Sequence, residues 1–505
     1  MPFDIKLVPF IVFGLAALML LHRRPGKDLL VPTFLIPWTA LTPDIGVSMP
    51  LAKLLFLLVA LKYALTGRLS LKGVPQASIF LAVILIGVGS AIITLSTLTD
   101  TVEYVGGDLR NGWLRLLVAT SNFALSIIPF VLLTARGVSV SMWSLLRVYV
   151  VSVLILCVMG IVQYAIFRAT SVDILPLGLF THAEEEQRSG MLVIGGHADL
   201  RPGALAGEPK ALGMFAATVP ILLLAFGERI FRSKFRRYSA VALALVTIEL
   251  TQSTSALIAL PIGVGVYAML RIMGRPLPRS AIFGIYTALA LGLLAVFAYR
   301  VASVTYLTYD PSLLPEPTTA GELLYQRTFG RMEVEDFDWV ILKWFIADPT
   351  AAFLGRGFGL GHLGTDPFIP DVWRHYMEGR VIFPKTGVTY FFVNGGVVFV
   401  LMMMAYFATL TPTLNRSDLA RDRPRAAFIR QAQLALIPLT TLLLLRVYVY
   451  DVAIFVAAAC LLELRPRTAP GAARLGAGAA LRARGHLFGD PAIVPPDAGH
   501  QRIPR

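Results

Sequence analysis

The chain has 505 residues, 56% hydrophobic and 15% charged, with a mean hydropathy of +0.70. A soluble domain is about 45–50% apolar and about 25% charged, so this composition excludes a water-soluble globular protein and points to an integral membrane protein. The net charge of +14 would suggest nucleic acid in a soluble chain, but here Lys and Arg gather in particular short loops.

A bilayer crossing needs roughly 20 apolar residues. Apolar runs lie near 6–22, 28–43, 50–66, 76–98, 113–134, 143–168, 206–227, 238–253, 255–271, 280–300, 386–411, 430–446 and 449–463. The expectation is an all-α polytopic transmembrane helix bundle of about 12–14 spans, with one large external loop between the spans near 300 and 386. The first run has no basic n-region and continues into further runs, so it reads as a span and not as a cleavable signal peptide. Cys157 and Cys460 both fall inside apolar runs and imply no disulfide framework.

The basic loops set the orientation. Arg23, Arg24 and Lys27, then Arg68 and Lys72, then Arg136 and Arg147 occupy the first three of them. Arg229, Arg232, Lys234, Arg236 and Arg237 form a dense cluster, followed by Arg271, Arg275 and Arg279 and by Arg416, Arg421, Arg423 and Arg425. Alternating spans put all of them on one side, the cytoplasmic one by the positive-inside rule. The other side receives 99–112, 169–205 and 301–385, which hold most of the loop Asp and Glu.

The chain divides into an N-terminal bundle (1–168), motif-bearing helices with the external loop 169–205 (169–300), the large external loop (301–385), the C-terminal helices (386–463) and a tail (464–505). The tail is rich in Arg, Gly, Ala and Pro without hydrophobic period and reads as disordered and cytoplasmic. No internal repeat is visible, which counts against an inverted-repeat transporter.

Several polar groups stand out against this apolar background. Arg201, Glu208, Pro209 and Lys210 run directly into a span, where a guanidinium fork and a helix N-terminus together favour a phosphate. The other use of Arg201 is an interfacial pair with Glu208 or with lipid head groups. Thr251-Gln252-Ser253-Thr254-Ser255 forms an external turn whose hydroxyls either line a polar cavity or merely build the turn.

In the large loop, Arg327 and Arg331 lie four apart, on one face if the segment is helical, and either grip a pyrophosphate or pair with Glu333 and Glu335. The run Gly355-Arg356-Gly357-Phe358-Gly359-Leu360-Gly361 has GxGxxG-like spacing but no strand–helix setting, so a re-entrant or cavity-lining loop is expected. His375 is a candidate general base near neutral pH. Lys385 opens the next span, and Arg446 and Asp451 flank the last external turn, where charges in so apolar a run face a partner or a cavity.

Four stretches between about 190 and 400 carry a family resemblance: RPGALAGEPKALG, LTQSTSA, the segment from Arg331 to Gly359, and FPKTGVTYFFVNGGVVFVLM. In their order they resemble the O-antigen ligase and polysaccharide polymerase superfamily of integral-membrane glycosyltransferases, which use polyprenyl-pyrophosphate-linked sugars. Arg201, Gly203, Glu208 and Pro209 match a pattern of Arg, Gly and a Pro-Asn pair, with Lys210 in place of the Asn. Thr254 stands where a Thr-x-Ser-Arg turn has its Arg, and Arg331, Trp339, Pro349, Gly355, Gly357 and Gly359 follow the pattern of the large periplasmic loop. In ligases a His-Asn pair begins the last stretch, and here Lys385 and Thr386 occupy those places.

The resemblance implies a donor bound as polyprenyl-pyrophosphate oligosaccharide outside the membrane. Arg201 and Arg331, with Arg327, would hold the pyrophosphate, and Lys210, Arg356, Lys385, Arg446 and Trp339 would bind pyrophosphate or glycan. An acceptor hydroxyl would attack with inversion, deprotonated by His375 or Glu208, without metal or cofactor. A lysine, with a pKa of about 10.4, is a poor substitute for the ligase His, so a polymerase is favoured over a ligase. The implied place is a bacterial inner membrane with the site facing the periplasm, with membrane lipid, a chain-length regulator and a flippase as partners and no nucleic acid. Two other classes compete. A polyprenyl-phosphate-sugar transferase would use acidic residues such as Asp100, Glu103 and Asp108, or Asp336 and Asp338, often with a metal; a flippase or transporter would use the cavity charges without chemistry.

Overall fold

The computed structural model describes residues 7–43, 49–69, 75–97, 112–134, 140–175, 191–194, 197–303, 319, 322, 343, 347–361, 384, 386–413 and 423–464. In chain order the helices are α1 (Leu7–His22), α2 (Leu30–Leu35), α3 (Leu51–Leu65), α4 (Pro75–Thr97), α5 (Gly112–Leu125), α6 (Ile128–Thr134) and α7 (Met142–Thr170). They continue as α8 (Pro209–Ile230), α9 (Lys234–Thr251), α10 (Thr254–Met273), α11 (Arg279–Ser303), α12 (Pro349–Leu354), α13 (Gly387–Leu410), α14 (Arg423–Leu445) and α15 (Tyr450–Glu463). Among the described residues eight helical segments are long and apolar enough to cross a membrane, and the chain is an all-α, multi-pass membrane protein.

Helix α8 is the central pillar: 89% of its apolar window is buried, against 17% for α11, which turns most of its surface outward. Leu291, Val296 and Tyr299 of α11 are exposed, as expected of side chains whose solvent is lipid.

Two sets of hydrogen bonds sort the helix termini onto opposite ends of the bundle. At one end Arg147 Nε donates to the Ile230 carbonyl (2.9 Å), and the Arg229 guanidinium lies 5.2 Å from the centre of the Trp143 ring. There too Arg430 Nη2 donates to the Arg271 carbonyl (2.9 Å), and the Gln433 amide bridges Leu277 and Pro412. The start of α7, the ends of α8, α10 and α13, and the starts of α11 and α14 therefore share one end. This is the parity expected from the basic loops. The cations that line it cap helix C-terminal carbonyls, where their charge is favourable.

The run at 28–43 departs from expectation. Its helix α2 has six residues, about 9 Å at about 1.5 Å per residue, far short of the roughly 30 Å hydrocarbon core. Residues 36–43 continue without helix, and irregular backbone at membrane depth survives only where protein satisfies it. Ala40 N–H donates to the Leu205 carbonyl (3.1 Å), Thr39 Oγ1 to the Ala206 carbonyl (2.7 Å) and Trp38 Nε1 to Ser152 Oγ (2.7 Å). The run at 113–134 is likewise broken between α5 and α6.

The 169–205 stretch holds a short antiparallel hairpin that sequence patterning did not single out. Strand β1 (Met191–Ile194) pairs with β2 (His197–Leu200), with Met191 opposite Leu200 and Ile194 opposite His197. It delivers the chain to Arg201.

Candidate functional site

Arg201 follows directly on β2. Its Nε donates to the Thr251 carbonyl (2.9 Å) and its Nη2 to the Gln252 carbonyl (3.3 Å). These carbonyls end α9, where helix geometry leaves acceptors without partners and partial negative charge collects. Gln252 turns the chain in a left-handed conformation (φ 44°), and Ser253 then caps α10 by accepting from Ala256 N–H (3.4 Å). Helix α8 reaches this turn because residue 213 is glycine: a Cβ there would lie 2.8 Å from Ser253 Cβ and 2.9 Å from Thr251 Oγ1.

Between Arg201 and α8 the chain makes a 3-10 turn, Ala204–Ala206, pinned by Gln163 Oε1, which accepts from Ala204 N–H (3.0 Å). Glu208 occupies the N-cap of α8 without a side-chain capping bond, with Pro209 at the first helical position. Its Oε2 accepts a hydrogen bond from the Tyr448 hydroxyl (2.6 Å). Lys210 sits half-buried in the first turn of α8.

Tyr448 belongs to a second break, the 3-10 turn Val447–Val449 that separates α14 from α15. Arg446 precedes it in extended conformation, is 7% exposed, and donates from Nε to Ser255 Oγ. The 251–255 turn is thus clasped from two sides, by Arg201 and by Arg446. Gly387 at the start of α13 lies against the Leu443 carbonyl, where any Cβ would overlap it, and Thr386 caps that helix by accepting from Thr389 N–H (3.3 Å). Starts and ends of α8, α10, α13 and α14 therefore meet at one place, at the end of the bundle opposite the basic loops.

The glycine run is inserted, as expected of a re-entrant segment. Phe358 and Leu360 are fully buried, and Phe358 packs on Phe123 and Phe399 at centroid distances of 4.9 and 5.7 Å. Helix α13 breaks at Gly395 and Gly396, and the break withdraws the Val393 carbonyl from its ordinary partner four residues on. Arg356 N–H takes that carbonyl at 2.7 Å. The Arg356 side chain pairs with Asp348 (3.2 Å).

Of the residues expected from sequence to form a site, Arg201, Glu208 and Arg446 come together, with Lys210 in the adjoining first turn of α8. Arg356 belongs instead to the glycine insertion. Arg327, Arg331, Trp339, His375 and Lys385 lie outside the described residues, as do Asp100, Glu103, Asp108, Asp336 and Asp338. Asp451 has the partner its setting demanded, Lys53 Nζ at 3.4 Å. Sequence reasoning passed over Lys53, Tyr448 and Arg115. A lone lysine within LAKLLFLL and a lone arginine within GWLRLL, the latter only 6% exposed, were the available signals; Tyr448 had none.

Among the described residues no group of three or more His, Cys, Asp or Glu is placed to hold a metal ion. Comparison of the chain with protein-family models and with curated proteins finds no match to either.

Proposed function

We propose that this protein is a membrane glycosyltransferase that polymerises polyprenyl-pyrophosphate-linked oligosaccharide units at the outer face of a bacterial inner membrane, as its likeness to the O-antigen ligase and polymerase superfamily implies. One observation carries the reading. Two arginines from distant segments, Arg201 and Arg446, clasp a single turn, and the Glu208 carboxylate is held by Tyr448, two residues on from Arg446, at the end of the bundle where α11 stops and α13 starts.

In this reading the pyrophosphate sits among Arg201, Arg446 and the loop arginines Arg327 and Arg331. Negative charge on the leaving pyrophosphate grows as the bond to the sugar C1 breaks, and pre-placed guanidiniums stabilise that growth. The acceptor hydroxyl attacks C1 from the opposite face, and its proton passes to Glu208 or His375. The carbonyls of Thr251 and Gln252 fix the plane of the Arg201 fork, so its orientation is set before the donor arrives.

Arg201→Lys and Arg331→Ala, made separately in the native host, test this. Each is expected to shorten or abolish polymer and to accumulate single lipid-linked units outside the membrane, with the protein still present in membranes. Polymer of ordinary length from both variants removes the pyrophosphate role and the transferase with it; units trapped on the inner face point to a flippase instead.

A further inference from the structure

Lys53 and Asp451 form a partly buried ion pair that the site described above does not use. Lys53 Nζ donates to the Asn122 carbonyl (3.3 Å) and to Ser126 Oγ (3.2 Å), and lies 3.4 Å from Asp451 Oδ2. Asn122 and Ser126 are the C-terminal turn of α5 and its break before α6, where a cation is favoured by the exposed carbonyls. Asp451 is in the first turn of α15, immediately after the Arg446–Tyr450 segment. Its Oδ1 is buried without a hydrogen-bond partner, so Lys53 is its one ionic partner among the described residues.

The pair faces a small cleft that also includes Thr39, Ser126, Phe215 and Tyr448. The cleft is about 30 Å³, room for about two waters at about 10–15 Å³ each and not for a sugar ring. Lys53 is also committed to two acceptors besides Asp451. Both facts point away from a substrate subsite and towards a mechanical one. The segment from Arg446 to Asp451 is held at its site side by Arg446 on Ser255 and Tyr448 on Glu208, and at its inner side by Asp451 on Lys53.

We infer that Lys53, acting through Asp451, is a positioning residue that fixes the 446–451 break so that Arg446 and Tyr448 face the transfer site. This rests on the glycosyltransferase reading for its kinetic consequence, but not for its structural one. Arg446 touches a pyrophosphate that is charged from the start and gains charge as the bond to C1 breaks, so misplacing Arg446 lowers kcat and raises the donor KM by a smaller factor.

The test uses the full-length protein in detergent or nanodiscs, as wild type, Lys53→Met and Lys53→Arg, with a lipid-linked oligosaccharide as donor. Two quantities are read: kcat and KM for the donor, and amide hydrogen exchange of residues 446–451. Lys53→Met is expected to lose about ten- to a hundredfold in kcat, with faster exchange confined to 446–451 and the α5–α6 break, and Lys53→Arg to restore most of both. Unchanged exchange at 446–451 in Lys53→Met overturns the tie, and faster exchange with full kcat overturns its role in the reaction. Exchange that rises across the whole bundle makes Lys53 a general stabiliser and overturns the inference as well. A wild-type protein that leaves the donor untouched fails the transferase reading, while the exchange comparison still decides the tie.

Discussion

Single side chains at this site differ in how much of their work is structural. Tyr448 donates one hydrogen bond to a half-buried carboxylate, worth about 1.5–3 kcal/mol, and its ring can remain in place without the hydroxyl. Tyr448→Phe is therefore expected to melt within a few degrees of wild type while polymer formation falls at least severalfold. Equal losses in melting temperature and activity would assign Tyr448 to the fold alone. Ser255→Ala removes one acceptor of a buried arginine, and losing a hydrogen bond from a charged group costs about 1.5–3 kcal/mol. It should lower the melting temperature clearly. Arg201 was legible in the sequence because a charge at the mouth of an apolar run needs an explanation. Its actual partners, two carbonyls fifty residues on, were not, because any exposed helix end offers such acceptors.

The glycine insertion is decided at the level of elements. Gly355 has φ 70° and Gly396 φ 63°, and a Cβ on either would overlap backbone across the crossing: Gly395 in the first case, Phe353 in the second. Gly355→Ala and Gly396→Ala should each cost about 1–3 kcal/mol from overlap and left-handed strain. Gly265 of α10 has open space where a Cβ would stand, with nothing within 4 Å, and an ordinary helical backbone. Gly265→Ala should therefore be neutral or stabilising by up to about 1 kcal/mol. Thermal melting of the three purified variants checks the ordering; a Gly355→Ala protein as stable as Gly265→Ala would contradict the packed insertion. The run's insertion could be read from glycine spacing without a strand–helix setting. Its docking partner, the broken middle of α13, could not, since Asn394-Gly395-Gly396 resembles any small-residue stretch of a span.

At the scale of the molecule, both cysteines are buried, so an introduced thiol is the one that an impermeant reagent meets among the described residues. Arg236→Cys lies at the basic end and Val172→Cys, with residue 172 58% exposed, at the other. In intact spheroplasts Val172→Cys should label and Arg236→Cys should label only after lysis. The reverse pattern would invert the protein and place the Arg201–Arg446 site in the cytoplasm, out of reach of an externally displayed donor.

Membrane residence, helical class and the gathering of the described basic helix ends at one end of the bundle were already contained in the linear chain. Each depends on quantities summed over neighbours, the transfer of apolar residues from water and the distribution of charge between spans. Where the helices stop and break was not contained there: 28–43 is as apolar as a span, yet α2 ends after six residues because the Leu205 and Ala206 carbonyls receive the backbone and side chain that follow it. The pairings of Glu208 with Tyr448, Arg446 with Ser255 and Lys53 with Asp451 belong to the same class. In an apolar medium a polar group must find some partner, but which one it finds depends on which distant helices pack together, and only the assembled bundle settles that.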